Sequence, residues 1–421
     1  MLRNVFDYLD AQGIPDVQAA LDAAQDGDRV YLPGARVYQA PAGGWIIRTR
    51  IEFFGDGPGK KDSYLGTVLV AGGEDDPVLV LDAPNDEDLT NIHPHDFQIT
   101  RPQGESGRYG GDGIMYQPPP PPPPPPEPDP MIDKKVSQLV IERVAVFHLG
   151  GSAFSFLGAN GGDSAIVDLH MVDCIAEDCA KYGLTLKFGF GTNLMHCLFK
   201  DNGKSGVKAE SSGVALYQCV LDGNTRDESS DTEASLHFLN CHTARVEACR
   251  LLNFTVGAGV GVLKKACTCT SDVGQASGGA LVIGGCHFEV ASGATNGIGV
   301  HVPGLRPENG PILLLPNRFF RVTTLVDVGA KVTGCVVMPQ YDESTGTIAV
   351  PASPNAGLNA VLHVNRPGAN ATSGATIPSP DPEVGSSDPT LNLENGTIAW
   401  DSSNAELHVR QAGAWKRVVT S

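Results

Sequence analysis

The stretch NLMHCLFKDNGKSGVKAESSGVALYQCVLDGN, residues 193–224, holds two near-copies of one phrase, MHCLFKDN and YQCVLDGN, with Cys197 and Cys219 in the same slot. The slot recurs as CIA at Cys174, CRL at Cys249, CHF at Cys286 and CVV at Cys335. Phe97 (FQI), Val144 (VAV) and Asn317 (NRF) hold it in weaker copies. Around each slot the apolar residues alternate with period two, the mark of a strand with one buried face. Each copy carries a second short apolar run, GLTLKF or GVKAES, beside a turn rich in Asp, Asn and Gly. Two or three short strands in every 22 residues or so describe one coil of an all-β solenoid, a parallel β-helix. A single coil cannot bury its own apolar face, so stacking on its neighbours supplies the core.

Residues in the same inward slot of successive coils lie about 4.8 Å apart, the strand spacing of a sheet. Free cysteine acts there as a small hydrophobe. Cys174, Cys197, Cys219, Cys249, Cys286 and Cys335 are therefore expected to be buried, unpaired and stacked in one sheet. Unpaired thiols point to folding in a reducing cytoplasm. The CTC at Cys267–Cys269 has neither the CxxC spacing nor the histidine of a zinc site, so no metal and no cofactor are expected.

At 421 residues the chain is long enough for one elongated solenoid with a small appendage. Its net charge of −18 and the lack of a basic stripe argue against nucleic acid as partner. No apolar run reaches the length of a membrane span, and MLRNVFDYLDAQGIPDV lacks the apolar stretch of a signal peptide. The expected location is the surface of a virion or other extracellular particle, reached without classical secretion.

PDVQAALDAAQ, from Pro15 to Gln25, has helical spacing and is followed by the strand–turn–strand pattern DRVYLPGARVYQ. A short amphipathic helix there, within a capping segment 1–30, would close the open end of the solenoid. These phrases, with the following IEFFGDGPGKKDSYLGTVL, resemble the N-terminal signature and first coil of the pectate-lyase-like superfamily. The resemblance covers roughly residues 16–338 and implies a right-handed parallel β-helix. It does not specify an activity, because that scaffold carries lyases, hydrolases, epimerases and adhesins.

The solenoid is expected over 31–341, with insertions at 101–135, 224–234 and 264–279. The first insertion contains the nine-proline run Pro118–Pro126, a stiff polyproline rod. A Pro/Ala/Ser-rich linker over 342–389 leads to a C-terminal β module over 390–421, whose alternation predicts two strands about DSSN and then a third. Gly396, Thr397, Asp401, Leu407, Val409, Arg410, Gly413 and Trp415 resemble the short terminal module of phage tail-fibre and tailspike proteins. That likeness implies self-association as a homotrimer.

Candidate site residues follow from coil registration. If the slots face inward, Asp173, His196 and Gln218 form one outward column, and Glu177, Lys200 and Asp222 form another. Glu177 and Asp222 would lie about 9 to 10 Å apart across two coils, near the separation of acid and base in an inverting glycosidase. Lys200 between them suits a uronate carboxylate or the base of a lyase. Asp173, His196 and Gln218, with Asp227 and Asp231 of the acidic insertion, are the expected substrate contacts. Mixed-charge ladders also occur on solvated faces with no function. GDGPGKKDS at 55–63 lacks phosphate-loop spacing and reads as a coil turn.

The expected function is a tailspike- or tail-fibre-like protein on a virion surface that binds cell-surface polysaccharide, alongside other particle proteins. The alternatives are a polysaccharide lyase or glycoside hydrolase acting on acidic glycans, and a non-catalytic structural component.

Overall fold

A short helix, Val17–Asp22, is capped by the Asp16 carboxylate, which accepts from the Ala19 amide at 2.9 Å. The periodic stretch from Pro15 to Gln25 is thus helical only in its centre. The preceding residues Leu2–Asn4, too short to be legible as a strand, pair in parallel with Arg29–Leu32 and start the first sheet. The N-terminal ammonium and Arg3 both bind Asp28, at 2.5 and 2.6 Å, and pin this end.

These elements belong to a computed structural model. It describes residues 1–61, 64–83, 88–116, 136–158, 166–227, 233–253, 264–270, 280–290, 297–303, 312–329, 335–338 and 340–342, together with the strand backbones at 347–349, 360–361, 364–365, 398–401, 406–411 and 414–417. The proline run lies outside the described residues.

From Arg29 onward each coil contributes one strand to each of three sheets, and every pairing between coils is parallel. In the central coils the first sheet holds Thr192–Met195 and Gly213–Tyr217, the second Leu198–Lys200 and Val220–Asp222, and the third Val207–Glu210 and Leu236–Leu239. Among the described residues the third sheet has 11 strands. The first and second run together in two long strands, His93–Thr100 and Val136–Phe147, that turn the corner without a break. Among the described residues, the antiparallel sheet Ile398–Asp401, Glu406–Gln411 and Ala414–Arg417 sits in the C-terminal module. It has the predicted order of two strands about DSSN and a third.

The corner between first and second strands is a single residue with left-handed backbone. Asp96, Arg143, Asp173, His196, Gln218, Ala248 and Gly285 hold it in turn, with φ between 50° and 64°. For a residue other than glycine that conformation costs about 1–2 kcal/mol, so something must offset it. The side-chain ladders described below do so in part. Immediately after each corner comes the slot. Cys174, Cys197, Cys219, Cys249 and Cys286 occupy it, free and buried, beneath Phe97 and Val144. Burial pushes the Cys179 and Cys335 thiols up to about 12, which makes them inert at neutral pH.

Cys335 corrects the expected register. It lies in the first sheet opposite Ile312, and the slot of its coil belongs to Gln340, whose carbonyl oxygen accepts from the Asn317 amide at 3.1 Å. The phrase CVV alternates like a slot phrase but falls five residues early. Two expected irregular segments also contain sheet. Lys264–Thr270, read as the start of an insertion, is a third-sheet strand, and pairing continues past residue 341 through Thr347–Ala349, Ala360–Val361 and Val364–Asn365.

Inside, the packing is aromatic and aliphatic. Phe53 and Phe97 meet edge to face at 5.6 Å, and Phe288 and Phe319 stack at 4.7 Å. The aligned stack places each outward residue beside its counterpart in the next coil, and that alignment builds the site.

Candidate functional site

The outer face of the second sheet carries three parallel columns in the central coils. The corner column is a line of polar side chains in close contact. His196 Nδ1 lies 3.4 Å from Asp173 Oδ1, and its Nε2 lies 2.6 Å from Gln218 Oε1. One coil-pair earlier, Arg143 donates to both oxygens of Asp96 at 2.6 and 2.7 Å, which holds that carboxyl below its usual range. The middle column follows the slot by one residue, where Ile175, Leu198 and Val220 are in register and half-buried on the outer side. The far column is Glu177, Lys200 and Asp222, again in register. Together they make an apolar floor three strands long between two polar rails.

The rails differ in how open they are. Glu177 is only 9% exposed, because Lys61 reaches it at 2.7 Å from a loop 116 positions away, and Lys200 lies 3.5 Å from the same oxygen. The sequence reading placed Glu177 on a solvated face. It could not foresee the loop 56–66, which GDGPGKKDS opens. Lys200 is held further into its charged state, chiefly by Glu177. Asp222 accepts from Asn253 Nδ2 at 2.7 Å.

A second loop, 101–113, contributes Arg108. It binds Asp178 at 3.3 Å and also pairs with Asp227. His148 Nδ1 is 2.8 Å from the other Asp178 oxygen. Burial alone would raise the Asp178 pKa, but His148 and Arg108 outweigh it and keep the carboxyl below its usual range. Asp227, a predicted contact, is thus the end of this strap. It lies so close to Gly203 that a Cβ there would stand 2.4 Å from its Oδ2 and 2.2 Å from the Ala180 carbonyl oxygen. Asp231 lies outside the described residues.

The DNG and DGN turns beside the far column have an inner side as well. Asp201 and Gly223 take the left-handed conformation, while Asn202 and Asn224 are buried. Asn202 Nδ2 donates to Asn224 Oδ1 at 2.9 Å and to the Ala176 carbonyl at 3.1 Å. This amide ladder fixes the turns that carry Lys200 and Asp222.

Sequence reasoning missed a polar cluster where these turns enter the third sheet. Glu233 accepts from Lys208 at 3.1 Å, from Tyr182 at 3.4 Å and from Ser205, and its other neighbour is His237 Nδ1 at 3.3 Å. Although burial opposes it, this set of donors brings the Glu233 carboxyl down to about 2. A carboxylate so saturated with donors is a structural anchor rather than a proton acceptor at neutral pH. The signal was a carboxylate at the rim of the acidic insertion, next to an outward Lys208 and His237 in one register.

With the geometry laid out, known structures can be set beside it. The A-module of a mannuronan C-5 epimerase from Azotobacter vinelandii superposes with a TM-score of 0.51 at 16% identity, over 87% of this chain and all of that one. The chain has a right-handed parallel β-helix fold. A second similar structure is the ORF18 protein of Geobacillus virus E2, with a TM-score of 0.50 at 12% identity over 100% of this chain and 86% of that one. At such identities the likeness is one of fold. No family model matches the sequence, and no curated protein is significantly similar to it. Among the described residues of this β-helix, no helix is long and apolar enough to cross a membrane, and no three His, Cys, Asp or Glu side chains are placed to hold a metal ion.

Proposed function

We propose that the outer face of the second sheet is a polysaccharide-binding groove on a tailspike- or tail-fibre-like virion protein that recognises a cell-surface glycan. The observation that carries the reading is the half-exposed floor Ile175–Leu198–Val220 between the rails Asp173–His196–Gln218 and Glu177–Lys200–Asp222. A sugar offers an apolar face and a rim of hydroxyls, and this floor and its rails complement both. Rigid strands hold the rails in place, so little ordering entropy opposes binding. The tail-fibre-like C-terminal module supports placement on a particle and assembly as a homotrimer with other virion proteins.

Binding is better supported than cleavage. Glu177 carries a salt bridge to Lys61 and Asp222 a hydrogen bond from Asn253, so both carboxylates already have partners within the protein. If the groove cleaves, Glu177, Lys200 and Asp222 remain the residues that span the scissile bond. The test is binding of the whole chain to a panel of capsular glycans, with Lys200→Ala and His196→Ala as variants. Each variant is expected to weaken binding by about tenfold, the scale of one lost charged or bidentate contact, with the melting temperature unchanged. Full binding by both variants would remove this face from consideration. Release of unsaturated uronate or new reducing ends, abolished by Asp222→Asn, would establish cleavage instead.

A further inference from the structure

The floor column does not begin at Ile175. Strand pairing carries it back through Ala145 and Gln98 to Val68, each in register with the next. The far rail runs back beside it from Glu177 to Phe147, and Thr100 and Val70 continue that side. All six of these side chains are buried, although they face away from the interior. The core is built there by Phe97, Ile99 and Val146, and Val68, Val70, Ala145 and Phe147 take no part in it. None of the six is ionisable. Gln98 is fully buried, and neither amide atom has a hydrogen-bond partner among the described residues. A primary amide in that state is costly to the closed protein, so the cover leaves a polar group unmatched beneath it.

The described chain that crosses this strip is the loop between Gly57 and Gly66, described over 57–61 and 64–66. Its two ends meet. Both glycines are left-handed, at φ 106° and 97°, and a Cβ on Gly66 would stand 2.6 Å from the Gly57 carbonyl oxygen. Such a narrow neck is the form of an Ω-loop, and glycine at both stems lets it hinge. The neck lies beside Val68, since the Thr67 amide donates to the Gly57 carbonyl at 3.2 Å. From there Lys61 reaches Glu177 at 2.7 Å. Those points are three coils apart, about 14 Å at the strand spacing, so the loop spans the strip from end to end. Its far contact is with the rail itself, and water reaches it, because 36% of the Lys61 side chain is exposed.

We infer that this loop is a hinged cover over a hidden continuation of the groove, latched by Lys61 on Glu177. The inference rests on the groove reading and adds its regulation. A glycan that takes Glu177 on the rail displaces Lys61, and the open floor grows from three strands to six. The hidden strip takes neutral sugar units. It offers Val68 and Ala145 to the apolar face of a ring, and the Gln98 amide to its hydroxyls. An amide donates to one hydroxyl and accepts from another, so the complex satisfies the group that the free protein leaves unmatched.

The first experiment needs no glycan. All ten native cysteines are buried, so iodoacetamide reports on a thiol introduced into the strip by Val68→Cys or, separately, by Ala145→Cys. Both are expected to be labelled faster than the native thiols, through local opening. Lys61→Ala is expected to raise that rate about threefold, the scale of one partly exposed ion pair, at an unchanged melting temperature. Labelling at both sites no faster than the native thiols, or at a rate indifferent to Lys61, would overturn the inference. Binding of the whole chain to dextran and to mannan, two neutral polymers, is then measured with the native strip. Lys61→Ala is expected to tighten binding by the same factor, because affinity scales with the open fraction, and Gln98→Leu to weaken it. Binding that is lost in Lys200→Ala but untouched by Lys61→Ala would overturn the cover and leave the groove standing. No binding of either polymer would overturn the strip's role as a glycan site together with the groove.

Discussion

The second sheet has two outer surfaces, and the contrast between them separates what holds this molecule together from what it offers to a ligand. In the early coils the outward residues Val68, Gln98, Ala145, Val70, Thr100 and Phe147 are all buried although they face away from the core. Residues 56–61, 64–66 and 101–113 roof them, tied down by Tyr64 to the Arg101 carbonyl, Tyr109 to His148, Lys61 to Glu177 and Arg108 to Asp178. In the late coils the corresponding positions are more open among the described residues: Arg250 and Arg318 are exposed and His287 is half-buried. One backbone pattern thus serves as an inner layer at one end and as a display at the other. What differs, among the described residues, is the side chains of both outward columns and the loops that cover the early ones.

If that view is right, the interiors of the two halves are equivalent. Phe97→Ala under the roof and Phe288→Ala under the bare face are each expected to cost about 3–5 kcal/mol in denaturant unfolding, the usual range for a buried phenylalanine. A cheap loss at one site and a severe one at the other would break the comparison. A smaller effect belongs to the strap. Arg108→Ala is expected to remove about 1 kcal/mol, as for a partly exposed ion pair. It is also expected to speed hydrogen exchange in 101–113 while leaving 287–289 and 318–320 unchanged. Uniform acceleration along the chain would show that the roof is no separate unit.

Acid sharpens the same contrast. Asp178 and Asp96 are depressed in the folded protein, so their stabilisation is fully present above the unfolded carboxylate value and is lost as pH falls through the lower folded one. Below about pH 4 the roof is expected to become sensitive to proteases before the solenoid unfolds, and Arg108→Ala is expected to shift that onset upward. The smallest effect concerns Gln98, which is fully buried with neither side-chain amide atom partnered among the described residues. Gln98→Leu is expected to stabilise by about 1 kcal/mol, because an unsatisfied amide is replaced by an apolar side chain of similar size. A destabilised variant would reveal a polar partner for Gln98 beneath the roof.

The coil was legible because identical residues in one slot leave a periodic trace: five of the six slot cysteines stack as the spacing demands. Cys335 was misplaced because a first-sheet strand alternates just as a second-sheet strand does, and only the turn before it tells them apart. Lys61 and Arg108 were out of reach, since their partners lie 116 and 119 positions away and no periodicity links a loop to a distant coil. The outward column after the slot was there to be read. The x of CIA, CLF, CVL, CRL, CHF and NRF runs Ile, Leu, Val, Arg, His, Arg, yet the phrases drew attention to their cysteines.

The one-residue corner has a further consequence. From Asp96 to Gly285 every corner is a single left-handed residue, while the extra length of the longer coils falls elsewhere, between the second and third strands and after the third. The edge of the groove therefore behaves as a ruler with fixed gradations. A loop can lengthen or a side chain change at any mark without moving the marks themselves. If the proposed groove holds a polymer, a polymer whose own repeat is commensurate with the strand spacing meets the same mark in every coil.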